Sequence, residues 1–237
     1  MNFILRLFSP NQGTTKSLFS NKISEIVGFT IGSEELYRQA FRHSSLYDNK
    51  SQNNERLEYL GDAILNSIIS SHLYVNFSGR NEGFLTNMRA KIVSRSQLNI
   101  LANKLDINRF IESRLDPSVN TSLGGNALEA LIGAIYRDMG YDVAEKFVLE
   151  KMLLDKVDIK KLENQIISYK SYLIEYAQKE KISIDFSVIS EEGENHNKLY
   201  NVELSLNNTV QGSGRASSKK KAEEQAAKKA YTNIILQ

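Results

Sequence analysis

The segment from Asn54 to Leu65 constrains the fold of this 237-residue chain more than any other feature. It reads Asn-Glu-Arg-Leu-Glu-Tyr-Leu-Gly-Asp-Ala-Ile-Leu and places Glu55, Glu58 and Asp62 at i, i+3 and i+7. On a helix, that spacing projects all three carboxylates from one face. Like charges so close together repel, so the face requires a cationic partner, either basic side chains or a hard cation such as Mg²⁺. The apolar residues between the acids predict a helix buried on one side, with its acids facing a cleft.

Three spaced acids on their own would more often form a solvated helix face than a metal site. Here the residues between the acids also follow a pattern. The segment resembles, almost residue for residue, the signature helix of the ribonuclease III family, Asn-Glu-Arg-Leu-Glu-(aromatic)-Leu-Gly-Asp-(small)-(aliphatic)-Leu. The resemblance implies an endoribonuclease that cuts double-stranded RNA, and it makes the solvated face the weaker interpretation.

A second acidic segment supports this resemblance. The run from Gly125 to Gly133, Gly-Asn-Ala-Leu-Glu-Ala-Leu-Ile-Gly, is similar to the other half of the family's active site, where the usual pattern is Asp-x-x-Glu-Ala-Leu-Ile-Gly. The resemblance implies that Glu58, Asp62 and Glu129 bind the metal, with Asn126 as a fourth, neutral oxygen donor. Glu55 and Glu82 match family acids with supporting roles. The expected catalytic residues are Asp62, Glu129, Glu58 and Glu55.

The expected cofactor follows from the chemistry of phosphodiester hydrolysis. The reaction needs an activated water and neutralisation of the charge that grows on the phosphate and the leaving oxygen. Mg²⁺ held by carboxylates supplies both, and few protein ligands suffice because Mg²⁺ retains several of its waters. We therefore expect Mg²⁺, with Mn²⁺ as a substitute.

Asn126 is a departure from the family pattern, which has Asp at this position. An amide oxygen still binds a hard cation, but one negative charge beside the metal is lost. The expected consequence is weaker Mg²⁺ binding. The alternative is a catalytically weakened or inactive protein that binds double-stranded RNA or acts in assembly.

The organisation of the chain predicts two domains. Aliphatic residues recur at helical spacing from about Ser20 to Leu154, notably at 66–74, 98–105 and 128–136. A charged segment follows Asp155, and shorter alternating segments come after it. The predicted division is an N-terminal tail at 1–20, a ribonuclease III endonuclease domain at 21–155, a linker at 156–165 and a double-stranded RNA-binding domain at 166–237. The expected fold class is α + α/β, an all-α domain followed by a small α-β-β-β-α domain.

The C-terminal prediction rests on a helix at 169–179, strands at 185–190, 200–206 and 209–214, a tight turn at 207–208 and a helix at 218–235. The stretch Gly212-x-Gly214-x-Ala216-x-Ser218-Lys-Lys-Lys-Ala-Glu223 lies at the end of the last strand and the start of the last helix. Together these features resemble a double-stranded RNA-binding domain.

Lys219, Lys220 and Lys221 carry the physical argument for RNA binding. Lysines at a helix N-terminus oppose the helix dipole, and a phosphate backbone removes that conflict. A solvated basic turn is the alternative. The resemblance adds a loop residue between the first two strands and three residues on the first helix, where Ile174 replaces a common Gln. The added residues are His196, Ser171, Glu175 and Gln178. Because A-form duplex is recognised by shape and 2′-hydroxyls, no strong sequence specificity is expected.

Composition and family arrangement complete the expectations. The chain has no cysteine, a net charge of +2 and no segment long enough to cross a bilayer, which favours a soluble cytoplasmic protein without membrane contact. The resemblance implies a homodimer with Tyr59 at its interface, although a core tyrosine is an equal alternative. It also implies products with 5′-phosphates and short 3′ overhangs, and a role in processing ribosomal RNA precursors and other structured transcripts.

Overall fold

The computed structural model describes residues 17–47, 49, 51–115, 122–166, 168–193 and 198–235. The chain divides into two compact units, with the boundary between Glu163 and Asn164. The first unit is helical, and the second contains two helices and a three-stranded sheet. The predicted fold class is therefore confirmed.

The described part of the first unit contains eight α-helices. They are α1 (Leu18–Val27), α2 (Glu34–Ala40), α3 (Glu55–Asn76), α4 (Glu82–Ile92), α5 (Arg95–Lys104), α6 (Leu123–Met139), α7 (Tyr141–Lys146) and α8 (Ile159–Glu163). A 3-10 turn at Asn108–Phe110 follows α5, and π-helical turns at Phe147–Leu154 continue α7. No helix in the described parts of the chain is long and apolar enough to cross a membrane.

Helix α6 forms the centre of the first unit. From Ala127 to Ile135, every residue except Glu129 is buried. A helix that is apolar around most of its circumference must be enclosed by others, and α2, α3 and α5 pack against it. Glu129 is consequently a carboxylate at the edge of an apolar core.

The crossing of α3 and α6 is unusually close because each helix has a glycine at the contact. A Cβ at Gly61 would lie 1.7 Å from the carbonyl oxygen of Glu129, and a Cβ at Gly133 would lie 2.3 Å from the carbonyl oxygen of Leu57. Both distances are far below van der Waals contact, so only glycine fits at either position. The close approach places the acidic face of α3 beside Glu129.

Two predicted boundaries differ from those of the structure. The predicted tail at 1–20 overlaps α1, which begins at Leu18 and buries Ser20, whereas residues 1–16 lie outside the described residues. The predicted linker at 156–165 contains α8, whose Leu162 is buried in the core of the first unit with Ile159 packed beside it. Composition was misleading here because two apolar residues at i and i+3 are enough to attach a short charged helix to a core.

The C-terminus of α8 is held by two basic residues. Lys91 Nζ donates a hydrogen bond to the carbonyl oxygen of Glu163 at 2.8 Å, and Arg80 forms a 2.7 Å salt bridge with the Glu163 carboxylate. A lysine that donates to a carbonyl at the end of a helix satisfies a backbone acceptor that the helix itself leaves unpaired. The first unit therefore extends to Glu163.

The second unit consists of α9 (Tyr169–Glu180), β1 (Ile184–Glu192), β2 (Leu199–Leu206), β3 (Thr209–Ala216) and α10 (Lys219–Ile235). The sheet is antiparallel in the order β1-β2-β3. Asn207 and Asn208 both have positive φ angles, of 46° and 63°, as a two-residue hairpin turn requires. The predicted tight turn is confirmed.

The glycines of β3 allow this strand to lie directly on α10. A Cβ at Gly212 would be 2.3 Å from the carbonyl oxygen of Ala226, and a Cβ at Gly214 would be 2.0 Å from that of Ala222. Ala222, Ala226 and Ala230 of α10 are buried on the side of the helix that packs against this strand. These glycines therefore have a packing role within the second unit.

Candidate active site

The first turn of α3 is fixed by two buried asparagines that the sequence analysis did not assign. The Asn54 backbone N–H donates to the Arg42 carbonyl oxygen at 2.8 Å. The Asn53 side chain donates to the Tyr47 carbonyl oxygen at 3.2 Å and accepts from the Glu55 N–H at 3.1 Å. Buried polar groups that are satisfied in this way hold the backbone in one position. The backbone that carries Glu55 and Glu58 is therefore held in one position.

Glu58 and Asn126 connect the two helices that carry the acids. The Asn126 side chain donates a hydrogen bond to the Glu58 carboxylate. Because a carboxylate only accepts, the amide NH₂ is the donor, so this contact does not use the amide oxygen. Burial and then the charge of Glu55 raise the pKa of Glu58, while Arg95 and the Asn126 hydrogen bond oppose that rise.

Glu129 is the most strongly perturbed acid of the site. Burial, together with the charges of Asp62 and Glu58, raises its pKa to about 7 against an opposing effect of Arg95. Glu58, Asp62 and Glu129 therefore lie near enough to act on one another electrostatically. The structure brings together acids from α3 and α6 that are far apart in the sequence.

The remaining acids occupy different surroundings. Asp62 is exposed and its carboxylate accepts a 2.8 Å hydrogen bond from the Asn66 side chain. Glu55 is exposed at the start of α3. Glu82 instead accepts a 2.7 Å hydrogen bond from the Thr86 hydroxyl and lines a separate pocket beside α4. Glu82 therefore lines a different pocket from the one that Asn126 and Glu129 line.

A small pocket of about 150 Å³ opens next to the acids. Its lining residues are Val93, Arg95, Leu98, Gly125, Asn126 and Glu129. The Asn99 side-chain oxygen accepts the Gly125 N–H at 2.7 Å, which ties the start of α6 to α5. Arg95 was missed in the sequence analysis because its place beside Asn126 depends on this contact between helices.

The donor set fits a hard divalent cation. Carboxylate and amide oxygens are the ligands that Mg²⁺ takes from proteins, and the raised pKa of Glu129 is consistent with a local excess of negative charge. Among the residues that the structure describes, no three His, Cys, Asp or Glu side chains already converge as a finished metal cage.

The second unit presents the predicted face of α9. Ser171, Glu175 and Gln178 are exposed, whereas Leu173 and Ala177 of the same helix are buried. The contact of this face with RNA stays a prediction. His196 lies outside the described residues.

The lysines at the start of α10 are all exposed, but they are not equivalent. Lys219 Nζ pairs with Glu191 at 3.0 Å, and Lys198 pairs with the same carboxylate at 2.5 Å. Hydrogen bonds from Lys198 and Lys219 lower the pKa of Glu191. Part of the positive charge at this helix terminus is therefore already neutralised within the chain. Lys220 and Lys221 form no ion pair with any described residue.

Tyr59 is 81% exposed on α3, so the alternative that it is a core residue of its own chain was wrong. A single exposed apolar side chain is common on protein surfaces, so exposure alone assigns Tyr59 no role. Its role at a dimer interface stays a prediction.

Comparison with known proteins agrees with this geometry. Residues 33–156 match the family model described as Ribonuclease-III-like, and residues 169–234 match the double-stranded RNA binding motif. The chain belongs to the ribonuclease III family. It is 42% identical over 236 residues to ribonuclease 3 of Flavobacterium psychrophilum, covering 98% of this chain and 96% of that protein. It is also 42% identical to ribonuclease 3 of Zunongwangia profunda over 90% of each protein.

Solved structures support the same family. The nuclease domain of ribonuclease III from Campylobacter jejuni is 32% identical, with a TM-score of 0.51, and the match covers 55% of this chain and 94% of that one. That structure is described as showing flexibility in a region involved in dimer formation. The present family member is accordingly an endoribonuclease whose nuclease domain is followed by a double-stranded RNA-binding motif.

Proposed function

We propose that this endoribonuclease hydrolyses phosphodiesters of double-stranded RNA with Mg²⁺ held by Glu58, Asp62, Glu129 and the amide oxygen of Asn126. The observation that carries the proposal is the close approach of α3 and α6, which brings acids of both helices to one place. There, burial first and the charges of Asp62 and Glu58 second raise the pKa of Glu129. A divalent cation among these groups reverses the repulsion and favours their ionised forms.

The protein's part in the reaction is to position these groups. When bound, Mg²⁺ supplies an activated water and neutralises charge on the phosphate and the leaving oxygen. Gly61 and Gly133 set the separation of α3 and α6, and Asn66 orients the Asp62 carboxylate. Glu55, exposed one turn before Glu58, is assigned to holding water or substrate.

The alternative function is supported by the neutral side chain of Asn126. An inactive or weakened relative would keep the scaffold and bind double-stranded RNA without cutting it. The hydrogen bond to Glu58 uses the NH₂ group of Asn126, so the amide oxygen is the atom that we assign to the metal in the active form.

A cleavage assay across a Mg²⁺ series distinguishes the two functions. We expect the wild-type protein to cut a long RNA duplex into products with 5′-phosphates and short 3′ overhangs. We expect Glu129→Gln to abolish cutting and to leave duplex binding intact, because it removes one ligand charge without touching the second unit. Tight binding by the wild type without cleavage at any Mg²⁺ concentration would instead establish the inactive binder.

The substrates are proposed from the family arrangement. One nuclease domain followed by one double-stranded RNA-binding domain suits long structured RNA, so ribosomal RNA precursors and other structured transcripts in the cytoplasm are the proposed targets. Northern blots of precursor ribosomal RNA in cells depleted of the protein test this proposal, and unchanged precursor levels would contradict it.

We further propose that the nuclease domain forms a homodimer through one face of α3. Tyr59 projects from this helix, and Ser70 follows eleven residues later, about three helical turns away and therefore on the same face. Ser70 and Tyr74 line a pocket of about 360 Å³ together with Leu85 and Arg89. An aromatic knob and a partly apolar pocket on one face are what a two-fold, self-complementary contact requires.

Sedimentation of the purified protein tests this dimer. Tyr59→Ala is expected to shift the protein toward monomer, because the interface loses its largest exposed aromatic group. Leu18→Ala, which truncates an apolar side chain that is 70% exposed on α1, is the control and should leave the oligomeric state unchanged. A wild-type protein that is monomeric at all concentrations would refute the dimer without affecting the metal-site proposal.

A further inference from the structure

Arg95 is a basic residue placed beside the acidic site. It is the first residue of α5, and the Ser94 hydroxyl accepts the Gln97 N–H to fix this helix start. Its side chain is exposed and lines the same pocket as Asn126 and Glu129. On the α6 side of this pocket, Gly125 packs closely against α5, because an added Cβ there would lie 3.3 Å from the Leu98 side chain.

Arg95 lies beside the acidic site without forming a salt bridge there. It lines one pocket together with Asn126 and Glu129, yet it forms no salt bridge with any described residue. Arg80 and Arg109, by contrast, are paired at 2.7 and 2.9 Å. Within the part of the chain that the structure describes, the guanidinium of Arg95 therefore has no ion-pair partner, and its N–H groups can donate to an acceptor on a substrate.

We propose that Arg95 binds the phosphodiester that is cut, by donating to its non-bridging oxygens at the mouth of the pocket. This inference rests on the proposed function, since it deepens the same site by naming a substrate contact. A phosphodiester is the anion that the reaction itself brings next to the acids. The planar guanidinium fork matches two oxygens of one phosphate, which a lysine ammonium does not.

The competing role for Arg95 is a simple counter-charge to the acids. The two roles predict effects of opposite sign. A counter-charge competes with Mg²⁺, so its loss would lower the Mg²⁺ requirement and leave kcat/KM at saturating Mg²⁺ unchanged. A phosphate contact contributes to substrate binding, so its loss lowers kcat/KM at every Mg²⁺ concentration.

A protein–RNA double-mutant cycle isolates the contact. The first component is a pair of short RNA duplexes that differ at the phosphodiester cut by the wild type. One duplex keeps this phosphodiester, and the other has an uncharged methylphosphonate in its place. Both carry a 2′-deoxynucleotide on the 5′ side of this linkage. The second is Arg95→Ala in a Glu129→Gln background, so that binding is measured without cleavage. We expect the neutral linkage to weaken binding by the Glu129→Gln protein, which keeps Arg95. The loss should be about tenfold smaller in the variant that also carries Arg95→Ala. A coupling of this size is that of a hydrogen bond between charged groups.

Two variants complete the design. Arg95→Lys should recover only part of the coupling, because it keeps the charge and loses the fork. Arg137→Ala removes the same charge from the far end of α6, about 16 Å along the helix from Asn126, and should show no coupling. Equal losses with and without Arg95 would overturn the proposal, as would a lowered Mg²⁺ requirement with full kcat/KM. A wild type that does not cut any duplex would refute the proposed function itself.

Discussion

Asn126 and Glu129 show how single side chains set the strength of this site. Asn126 lowers the negative charge around the proposed metal position, and its hydrogen bond stabilises the ionised form of Glu58. Partial burial and the nearby charges of Asp62 and Glu58 disfavour the ionised form of Glu129. If the proposed metal site is correct, charge, burial and hydrogen bonding at these positions set the Mg²⁺ requirement.

Asn126→Asp should lower the Mg²⁺ concentration for half-maximal cleavage by about tenfold, because it adds a carboxylate to the donor set. Cleavage rates across a Mg²⁺ series measure the effect, with Asn76→Asp, at the exposed far end of α3, as a control that adds the same charge away from the proposed donor set. An unchanged Mg²⁺ requirement in Asn126→Asp would place residue 126 away from the metal.

The raised pKa of Glu129 makes the stability of the metal-free protein depend on pH. Between its ordinary pKa of 4.5 and its folded pKa of about 7, the folded protein holds a proton that the unfolded chain has released. The free energy of unfolding should therefore be highest below this range and fall by about 2 kcal/mol as the pH rises through 7, after allowance for solvent screening. Thermal melts from pH 5 to 8 in chelator test this trend.

The Glu129→Gln variant supplies the control for those melts, because its amide does not titrate. Its stability should fall less than that of the wild type over the same range, and Mg²⁺ should stabilise the wild type most at pH 8. Parallel curves for the two proteins would show that Glu129 titrates normally.

At the level of elements, the contact between α3 and α6 matters most. The acids belong to separate helices, and their proximity depends on two glycines that bring the backbones together. In the second unit, Gly212 and Gly214 likewise allow the backbones of β3 and α10 to approach closely. Helical periodicity revealed these elements, but nothing local in the sequence reveals how closely two of them approach.

Gly61→Ala should destabilise the protein by about 3 kcal/mol or more, because its Cβ would overlap the Glu129 carbonyl oxygen and push α3 away from α6. Chemical denaturation measures the loss. Gly79→Ala is the matched control, since a Cβ at Gly79 meets nothing within 4 Å. Equal stability of the two variants would mean that the helices do not cross as closely as described.

At the level of the whole molecule, the two units carry different functional surfaces. The first unit carries the acidic site, and the second carries an exposed helix face and a basic helix start. The pairing of Lys219 with Glu191 leaves Lys220 and Lys221 as the lysines of this cluster without an ion pair in the described chain. We therefore expect these two lysines to make the larger contribution to RNA binding.

Lys220→Ala combined with Lys221→Ala should raise KM and leave kcat nearly unchanged, because the chemistry lies in the other unit. The slope of log affinity against log salt concentration should become shallower by about 1 to 2. Lys228→Ala combined with Lys229→Ala removes equal charge from the same helix and serves as the control. If both pairs weaken binding alike, the RNA surface lies elsewhere on this unit.

The sequence alone determined the order of the domains and the type of nearly every element, and it supplied the prediction of which acids form the site. These features depend on local periodicity, turn residues and short motifs, which act within a few residues of each other. The tertiary structure decided where the first unit ends, that Tyr59 is exposed, that Lys219 is paired and that Arg95 lies beside the site. Each of these depends on packing between residues that are distant in the chain, where a contact is set by the meeting of two surfaces and not by either sequence segment on its own.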